Sequence, residues 1–414
     1  MKAKKNLERG YFIDKTNGFC LIYFLIFFVH ALRIIPDNIT IGVALLTFLF
    51  APIDAMTYML LFFLPWSTKT TFSFGISLSL LQSVIYSVKA IMDNRIWLRK
   101  TDAIYGIIFA IYGGFAFFND HYSLTGFSIV ATYICATYIY RVYATDSEKV
   151  ADFWRIAFFC ILVSTILACL YGLIAGTNSS RWVGGSVGYA YVLYGTLGTT
   201  RFGIYLCISL IFPLYYMKAS LLKYFLVIML SVAAFSTVSL TVVIIWVLEI
   251  IYYIALSKKN IKSVALIVLV LTILISCWPR ISQIDVIKPV IMRVEKTMES
   301  IDTGDFDKAT SGRENLATTY LDRYKKASYF QRIAGLATLS RYANQYSHNT
   351  YIDMITYWGI IGAIVVVIMQ IQHFHRYFRT NSFQQVFLAK LIMFISASTV
   401  SMFSLQYWIM WLFI

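Results

Sequence analysis

The apolar positions of this chain come as long unbroken runs, not as stripes at helical or strand spacing. Residues 153–175, 238–256, 262–278 and 350–371 are each close to the ~20 residues that carry a helix across a hydrocarbon core. In lipid every backbone polar group must be satisfied within the segment, so runs of this kind are read as helices. A soluble protein with buried core helices is the competing reading, but one core cannot bury so many continuous apolar runs. The pattern predicts helices at 18–35, 39–51, 53–66, 72–92, 102–118, 124–142, 153–175, 200–217, 221–235, 238–256, 262–279, 350–371, 386–400 and 403–414. Pro52 divides the short second and third segments, which form either one tilted span or a hairpin of two short helices. The last two segments leave a similar choice.

Charge decides the first of these. The basic residues fall in short clusters between the runs: Lys2, Lys4, Lys5 and Arg9; Arg95, Arg99 and Lys100; Arg141, Lys149 and Arg155; Lys218 and Lys223; Lys258, Lys259 and Lys262; Arg376 and Arg379. Such clusters mark cytoplasmic loops. With the N-terminus inside, only the hairpin keeps Arg95, Arg99 and Lys100 in the cytoplasm, and the same count keeps every other cluster there. The expected fold is an all-α polytopic membrane protein of about 12 transmembrane helices, roughly 11–14, with both termini cytoplasmic. The stretch 19–32 has no A-x-A-like site after it and is expected to be an uncleaved first span.

This topology divides the chain into three regions. Residues 1–279 are helices with short loops, including a Gly-rich outer loop at 176–199. Residues 280–349 form one large extracytoplasmic loop, and 350–414 the closing helices. The large loop carries 11 basic and 8 acidic residues, and long translocated loops are largely exempt from the charge rule. It predicts a helix around 313–330, starting near Ser311 or Gly312. No internal repeat or low-complexity segment is present.

Composition narrows the function classes. The chain is 59% hydrophobic and only 13% charged, too little charge for a soluble domain of its length. The net charge of +15 resides in the interfacial clusters, so no nucleic-acid partner is expected. All six cysteines lie in or at the edge of apolar runs and none forms a C-x-x-C pair, which suggests neither disulfides nor zinc. His373 and His375, two apart, point to different sides of a helix and are expected as interfacial residues beside Arg376. There is no Gly-rich phosphate loop, no G-x-S-x-G and no H-E-x-x-H, so neither metal nor cofactor is expected.

The remaining candidates for chemistry lie on the outer face. His348 sits at the edge of the helix beginning near Thr350, where Thr350 and Asp353 resemble a capping box. A helix N-terminus disfavours imidazolium, and a neutral imidazole can accept a proton from a hydroxyl nucleophile. The plainer reading is an amphipathic interface residue. Arg181, Arg201 and Arg313 carry guanidinium forks that match phosphate oxygens. Their plainer reading is snorkelling to headgroups for Arg181 and Arg201, and one more loop cation for Arg313. Gly359 and Gly362, like Gly184, Gly185 and Gly188, read as places of close backbone approach.

Taken together, these pieces resemble the O-antigen polymerase and O-antigen ligase superfamily of bacterial envelope glycosyltransferases. The residues that carry the resemblance are His348-Asn349-Thr350-Tyr351-Ile352-Asp353 followed by Gly359-Ile360-Ile361-Gly362, then Ser311-Gly312-Arg313, and Arg181-Trp182-x-Gly184-Gly185. The chain departs from the family at the outer turn Ser236-Thr237-Val238-Ser239, where many members carry Ser-Arg; Arg201 would have to supply that charge. The resemblance implies a GT-C-like glycan polymerase of the bacterial inner membrane. Its donor would be a glycan on undecaprenyl pyrophosphate, and its acceptor a hydroxyl of a lipid-linked repeat unit. His348 would be the base, with Asn349 supporting it, and Arg313, Arg201 and Arg181 would hold the pyrophosphate. No metal or cofactor would be needed, and a chain-length regulator would be a partner. Other acceptors would make it an O-antigen ligase acting on lipid A-core, or a protein oligosaccharyltransferase. Outside this class stand a lipid-linked oligosaccharide flippase and a structural scaffold.

Overall fold

Pro52 breaks the first long apolar stretch into two helices. A computed structural model describes residues 2–66, 77–93, 95, 99–119, 125–143, 147–175, 179–182, 189–192, 199–256, 288–305, 313–335, 347–377 and 382–399. Its first four helices are α1 (Lys2–Ala31), α2 (Asp37–Phe50), α3 (Ile53–Phe63, with a 3-10 turn Leu64–Trp66) and α4 (Leu78–Met92). Ala51 and Pro52 are both extended, as the residue before a proline tends to be. The orphan carbonyls this leaves at the end of α2 are met by Lys89, whose Nζ donates to Leu49 O at 2.6 Å and Ala51 O at 2.9 Å.

Side-chain contacts give the direction of each helix. Thr40 meets His30 at 3.0 Å, joining the end of α1 to the start of α2. Arg95, just past the end of α4, donates to Asp54 in the first turn of α3 at 3.0 Å, and Thr57 meets Tyr86 at 2.7 Å further along the pair. In α5 (Lys100–Asn119) and α6 (Thr125–Tyr143), Asp102 at the start of one binds Arg141 at the end of the other. The alternation continues through α7 (Ser147–Ile174), α8 (Thr199–Tyr215), α9 (Leu221–Ser236) and α10 (Leu240–Leu256), with Thr165 against Ser209 and Ser231 against Trp246. The stretch 37–66 is therefore the hairpin that the charge count favours, not one tilted helix.

One end of this array collects the basic clusters. Arg95 donates to Asp54 at 3.0 Å, to Asp93 at 2.8 Å and to the Tyr138 hydroxyl at 2.8 Å. Tyr138 and Tyr143 close the network with short hydrogen bonds to Asp93 and Asp54. Burial raises the Asp93 pKa, but the Tyr138 hydrogen bond, then the hydrogen bonds and charge of Arg95, outweigh it and hold the carboxyl below its ordinary range.

Apolar side chains lie outside the array as well as within it. Tyr23, Phe27, Phe62 and Trp66 pack in the interior, while Leu25 on α1, Phe225 and Ile228 on α9 and Ile364 on α14 (Thr350–Tyr377) are more than half exposed. A helix apolar on every side belongs in a large protein core or in lipid. Among the described residues two helices, Val150–Ile174 and Trp358–His375, are long and apolar enough to cross a membrane by length and composition, and eight shorter apolar helices accompany them.

Some elements differ from expectation. The Gly-rich segment contains a two-stranded antiparallel ribbon, β1 (Ser179–Trp182) on β2 (Tyr189–Val192), so the protein is helical but not purely so. Serine, aromatic and valine side chains suit a short ribbon, and Gly184, Gly185 and Gly188 lie between the strands. In the large loop a helix not foreseen, α11 (Lys288–Asp302), precedes the expected one. The expected helix is two: α12 (Arg313–Lys326) and α13 (Tyr329–Ala334), separated where Ser328 forms a capping box with Gln331. The predicted segments 262–279 and 403–414 lie outside the described residues, as do residues 72–76 of the fourth. The closing pair is α14 with α15 (Phe383–Ala397).

Inside α14 the helix breaks at Gly359, whose φ of 61° and ψ of −172° suit only glycine. The Tyr112 hydroxyl of α5 enters the break. It donates to Trp358 O at 2.7 Å and lies beside Gly362, at the break in the helix. From the other side Gly335, which caps α13 at φ 64°, touches the Trp358–Gly359 backbone. The broken helix thus seats the outer helices α12 and α13 on the array.

Candidate functional site

Residues 347–353 form a tight turn that leads into α14. Asn349 is the N-cap: its Oδ1 accepts from Tyr351 N at 3.0 Å and Ile352 N at 3.2 Å. The expected capping box from Thr350 is therefore not formed. Asn349 and Thr350 are both cap formers, and the chain uses the earlier one. Asp353 is fully buried and serves Ser347 instead, accepting its hydroxyl at 2.5 Å. Ser347 Oγ also contacts Asn349 O at 2.8 Å and accepts from Asn349 N at 3.0 Å.

Between these two anchors His348 adopts φ 55°, the left-handed region. Histidine enters this region more readily than most residues, yet it costs about 1–2 kcal/mol. The strained turn turns the ring outward, and His348 is exposed while Ser347, Thr350 and Asp353 are buried.

Two cations come to this ring from distant parts of the chain. Arg201 stands in the first turn of α8 and Arg313 is the first residue of α12. Partial desolvation, then the charge of Arg313, then that of Arg201 push the His348 pKa below its ordinary value. Desolvation and the two guanidinium groups thus disfavour the imidazolium, in the same direction as the helix terminus considered in the sequence. Three helix N-termini, those of α8, α12 and α14, gather here with their partial positive charge. Such an end attracts an anion.

The turn between α9 and α10 borders the same region. Ser239 Oγ lies 3.1 Å from Thr200 Oγ1, next to Arg201, and Val238 is held at φ 50°. Arg201 follows Thr200 directly in the first turn of α8. Arg181 lies on β1, opposite Ala190, and its side chain is outside the described residues, as are Ser311 and Gly312. Of the candidates, His348, Arg201 and Arg313 therefore come together, with Asn349 as the cap beneath them.

Sequence reading missed the Ser347–Asp353 pair and the Ser239–Thr200 contact. The first has a local trace, an acid six residues after a serine across a cap, and the second has none. Among the described residues no three His, Cys, Asp or Glu side chains gather as a metal site. No family model matches the chain, and no curated protein or solved structure is found to be similar to it.

Proposed function

We propose that this chain is a polytopic membrane glycosyltransferase of about 12 spans that polymerises a lipid-linked glycan at the outer face of a bacterial inner membrane. One observation carries the reading: His348, Arg201 and Arg313, remote in sequence, share one electrostatic site at the array end opposite the Arg95 and Arg141 clusters. The basic clusters at the other end support an extracytoplasmic side for this site.

The chemistry follows from the charges. An acceptor sugar hydroxyl attacks the anomeric carbon of the donor. The new C–O bond forms as the anomeric carbon–pyrophosphate bond breaks, the electron pair leaves on the phosphate oxygen, and the hydroxyl proton passes to neutral His348. Arg201 and Arg313 hold the pyrophosphate and take up its growing charge, and the helix N-termini add to that field. With a leaving group already bearing two phosphates, positioning and charge stabilisation carry the reaction.

A second reading, transport of the lipid-linked glycan, draws on two ionisable groups within the helices. Glu249 in α10 is fully buried with neither carboxyl oxygen hydrogen-bonded, and Lys390 in α15 donates to Gln370 at 2.8 Å. Intramembrane charges often mark a pathway. Deleting the gene and resolving the surface polysaccharide and the lipid-linked glycan separates the readings. A core band with a single repeat, restored to a ladder by the wild-type gene but not by His348→Ala at equal abundance, is the expected result. Bare core with long polymer on the carrier makes the protein the ligase. Bare core with only trapped single units makes it the transporter. An unchanged ladder removes the protein from the pathway.

A further inference from the structure

At the opposite end of α14 from His348 lies one concave surface, and a second adjoins it and runs back along α14 as far as Met354 and Tyr351. A cavity of about 440 Å³ lies among the start of α5, the end of α6 and the end of α14, lined by Arg99, Asp102, Tyr105, Arg141, His373 and His375. A groove of about 430 Å³ runs between α14 and α15, lined by Val367, Ile371, Phe374, Phe387, Leu391 and Phe394 among others. Ile371 borders both, and its side chain is 62% exposed.

The two differ sharply in chemistry. In the cavity, Asp102 is committed to Arg141 through two hydrogen bonds of 2.9 and 2.5 Å, both members being largely buried. That pair is neutral, which leaves Arg99 as an exposed cation, with exposed Lys100 beside it and the His375 ring on the rim. His373 is fixed by stacking on Tyr140, ring centroids 3.8 Å apart. The lining is therefore positive. In the groove the polar side chains are engaged: Lys390 with Gln370 at 2.8 Å, and the Tyr351 hydroxyl with Phe394 O at 2.8 Å. A peptide would find little there for its backbone, whereas a hydrocarbon chain needs nothing more.

We infer that this pair of surfaces binds one anionic phospholipid of the cytoplasmic leaflet. Its phosphate sits in the cavity near Arg99 and His375, and an acyl chain passes over Ile371 into the groove. Basic pockets between helices at the cytoplasmic surface suit such headgroups, and each cation there favours an anionic lipid severalfold. The inference rests on the membrane reading above but not on the glycosyl-transfer reading.

The test is native mass spectrometry of the full chain released from bilayer discs of equal phosphatidylglycerol and phosphatidylcholine. Wild type should retain one phosphatidylglycerol with an enrichment of about fivefold or more. Arg99→Gln with His375→Gln should remove that enrichment, and both sites are exposed, so the fold is not at stake. Ile371→Trp, filling the shared rim, should also reduce retention. Equal retention of the two lipids, or an enrichment that survives the double substitution, overturns the inference. Inorganic phosphate is the second probe: if in detergent it raises the thermal midpoint as much as phosphatidylglycerol, through Arg99, the occupant is free phosphate and not a lipid. His348→Ala should retain the lipid as wild type does, so loss of transfer alone leaves the inference standing. Release of the chain from bilayers by alkaline washing defeats the membrane reading itself, and this inference with it.

Discussion

Gly335 and Gly359 meet backbone to backbone, both at positive φ, where the capping turn of α13 rests on the break in α14. A Cβ on either would strike the main chain of the other's segment, not a flexible side chain that yields. Each residue also occupies a region that costs other residues about 1–3 kcal/mol. Gly335→Ala and Gly359→Ala should each lower the thermal unfolding midpoint in detergent by several degrees, corresponding to about 2 kcal/mol or more. Gly42→Ala is the control: its Cβ would enter open space on α2, and it should be neutral or stabilising. Equal tolerance at all three positions would mean that the α13–α14 contact contributes nothing.

Tyr112 holds the same break from the inside. Its hydroxyl donates to Trp358 O just before the break, while its ring stacks on Trp358 at 5.9 Å. Tyr112→Phe keeps the ring and takes the hydroxyl donor from the Trp358 carbonyl, at a cost of about 1–3 kcal/mol. The thermal midpoint should fall and amide exchange at Gly362 should rise. Unchanged exchange there would show that the break holds its shape without Tyr112.

Much of the array was legible because long apolar runs and their basic flanks are properties of composition along the chain. Pro52 with Arg95 and Lys100 was enough to read the hairpin at 37–66, since a proline ends one helix and the charges choose the direction of the next. The large loop was less legible. In α11 the residues Val294, Met298 and Ile301 do keep helical spacing, but they are embedded among charges that resemble loop. The strands of the ribbon are four residues each, too short for a period to show. Tyr112 and Trp358 are 246 residues apart, and no local pattern announces such a contact. His348 and Arg313 were readable as residue types suited to proton transfer and phosphate binding, whereas the Ser347–Asp353 anchor and the choice of Asn349 as cap are visible only in hydrogen bonds.

The electrostatics of His348 give a pH prediction. Its pKa lies below the ordinary histidine value because desolvation and two guanidinium groups oppose the imidazolium. If neutral His348 is the base, activity is full above that pKa and falls as pH drops through it. Removing a neighbouring positive charge lets the imidazolium form more easily, so Arg313→Gln or Arg201→Gln should move the acid limb to higher pH. Arg313, the larger of the two charge contributions, should move it further. The rate–pH profile of the residual activity of each variant reads the shift; an acid limb that stays put in both separates the arginines from the histidine.

Ser347 and Asp353 should act on the rate through His348 without touching substrate. Asp353 is fully buried beneath the turn and takes the Ser347 hydroxyl, which in turn holds the Asn349 amide. Without that anchor the left-handed conformation of His348 loses its support. A displacement of about 1 Å at a catalytic group costs on the order of a hundredfold in rate. Asp353→Ala is expected to lower kcat by about that much with KM little changed, and Asp353→Asn, which still accepts from Ser347, to recover most of it. A loss confined to KM would point to substrate binding instead of positioning.

Asp102 and Arg141 test the opposite end. Their bidentate pair joins α5 to α6 in largely buried surroundings, and Asp102 also accepts the Arg99 amide at 2.8 Å. Breaking a buried pair from one side leaves a charge without its counterion, a loss of about 3–5 kcal/mol, whereas replacing both members by neutral groups removes most of that penalty. Asp102→Asn alone should therefore unfold at a clearly lower temperature than Asp102→Asn with Arg141→Gln. The double-mutant cycle measures their coupling directly. A coupling near zero would mean that solvent screens the pair, and that α5 and α6 are held by apolar contacts such as Phe109 on Tyr133, stacked at 4.8 Å.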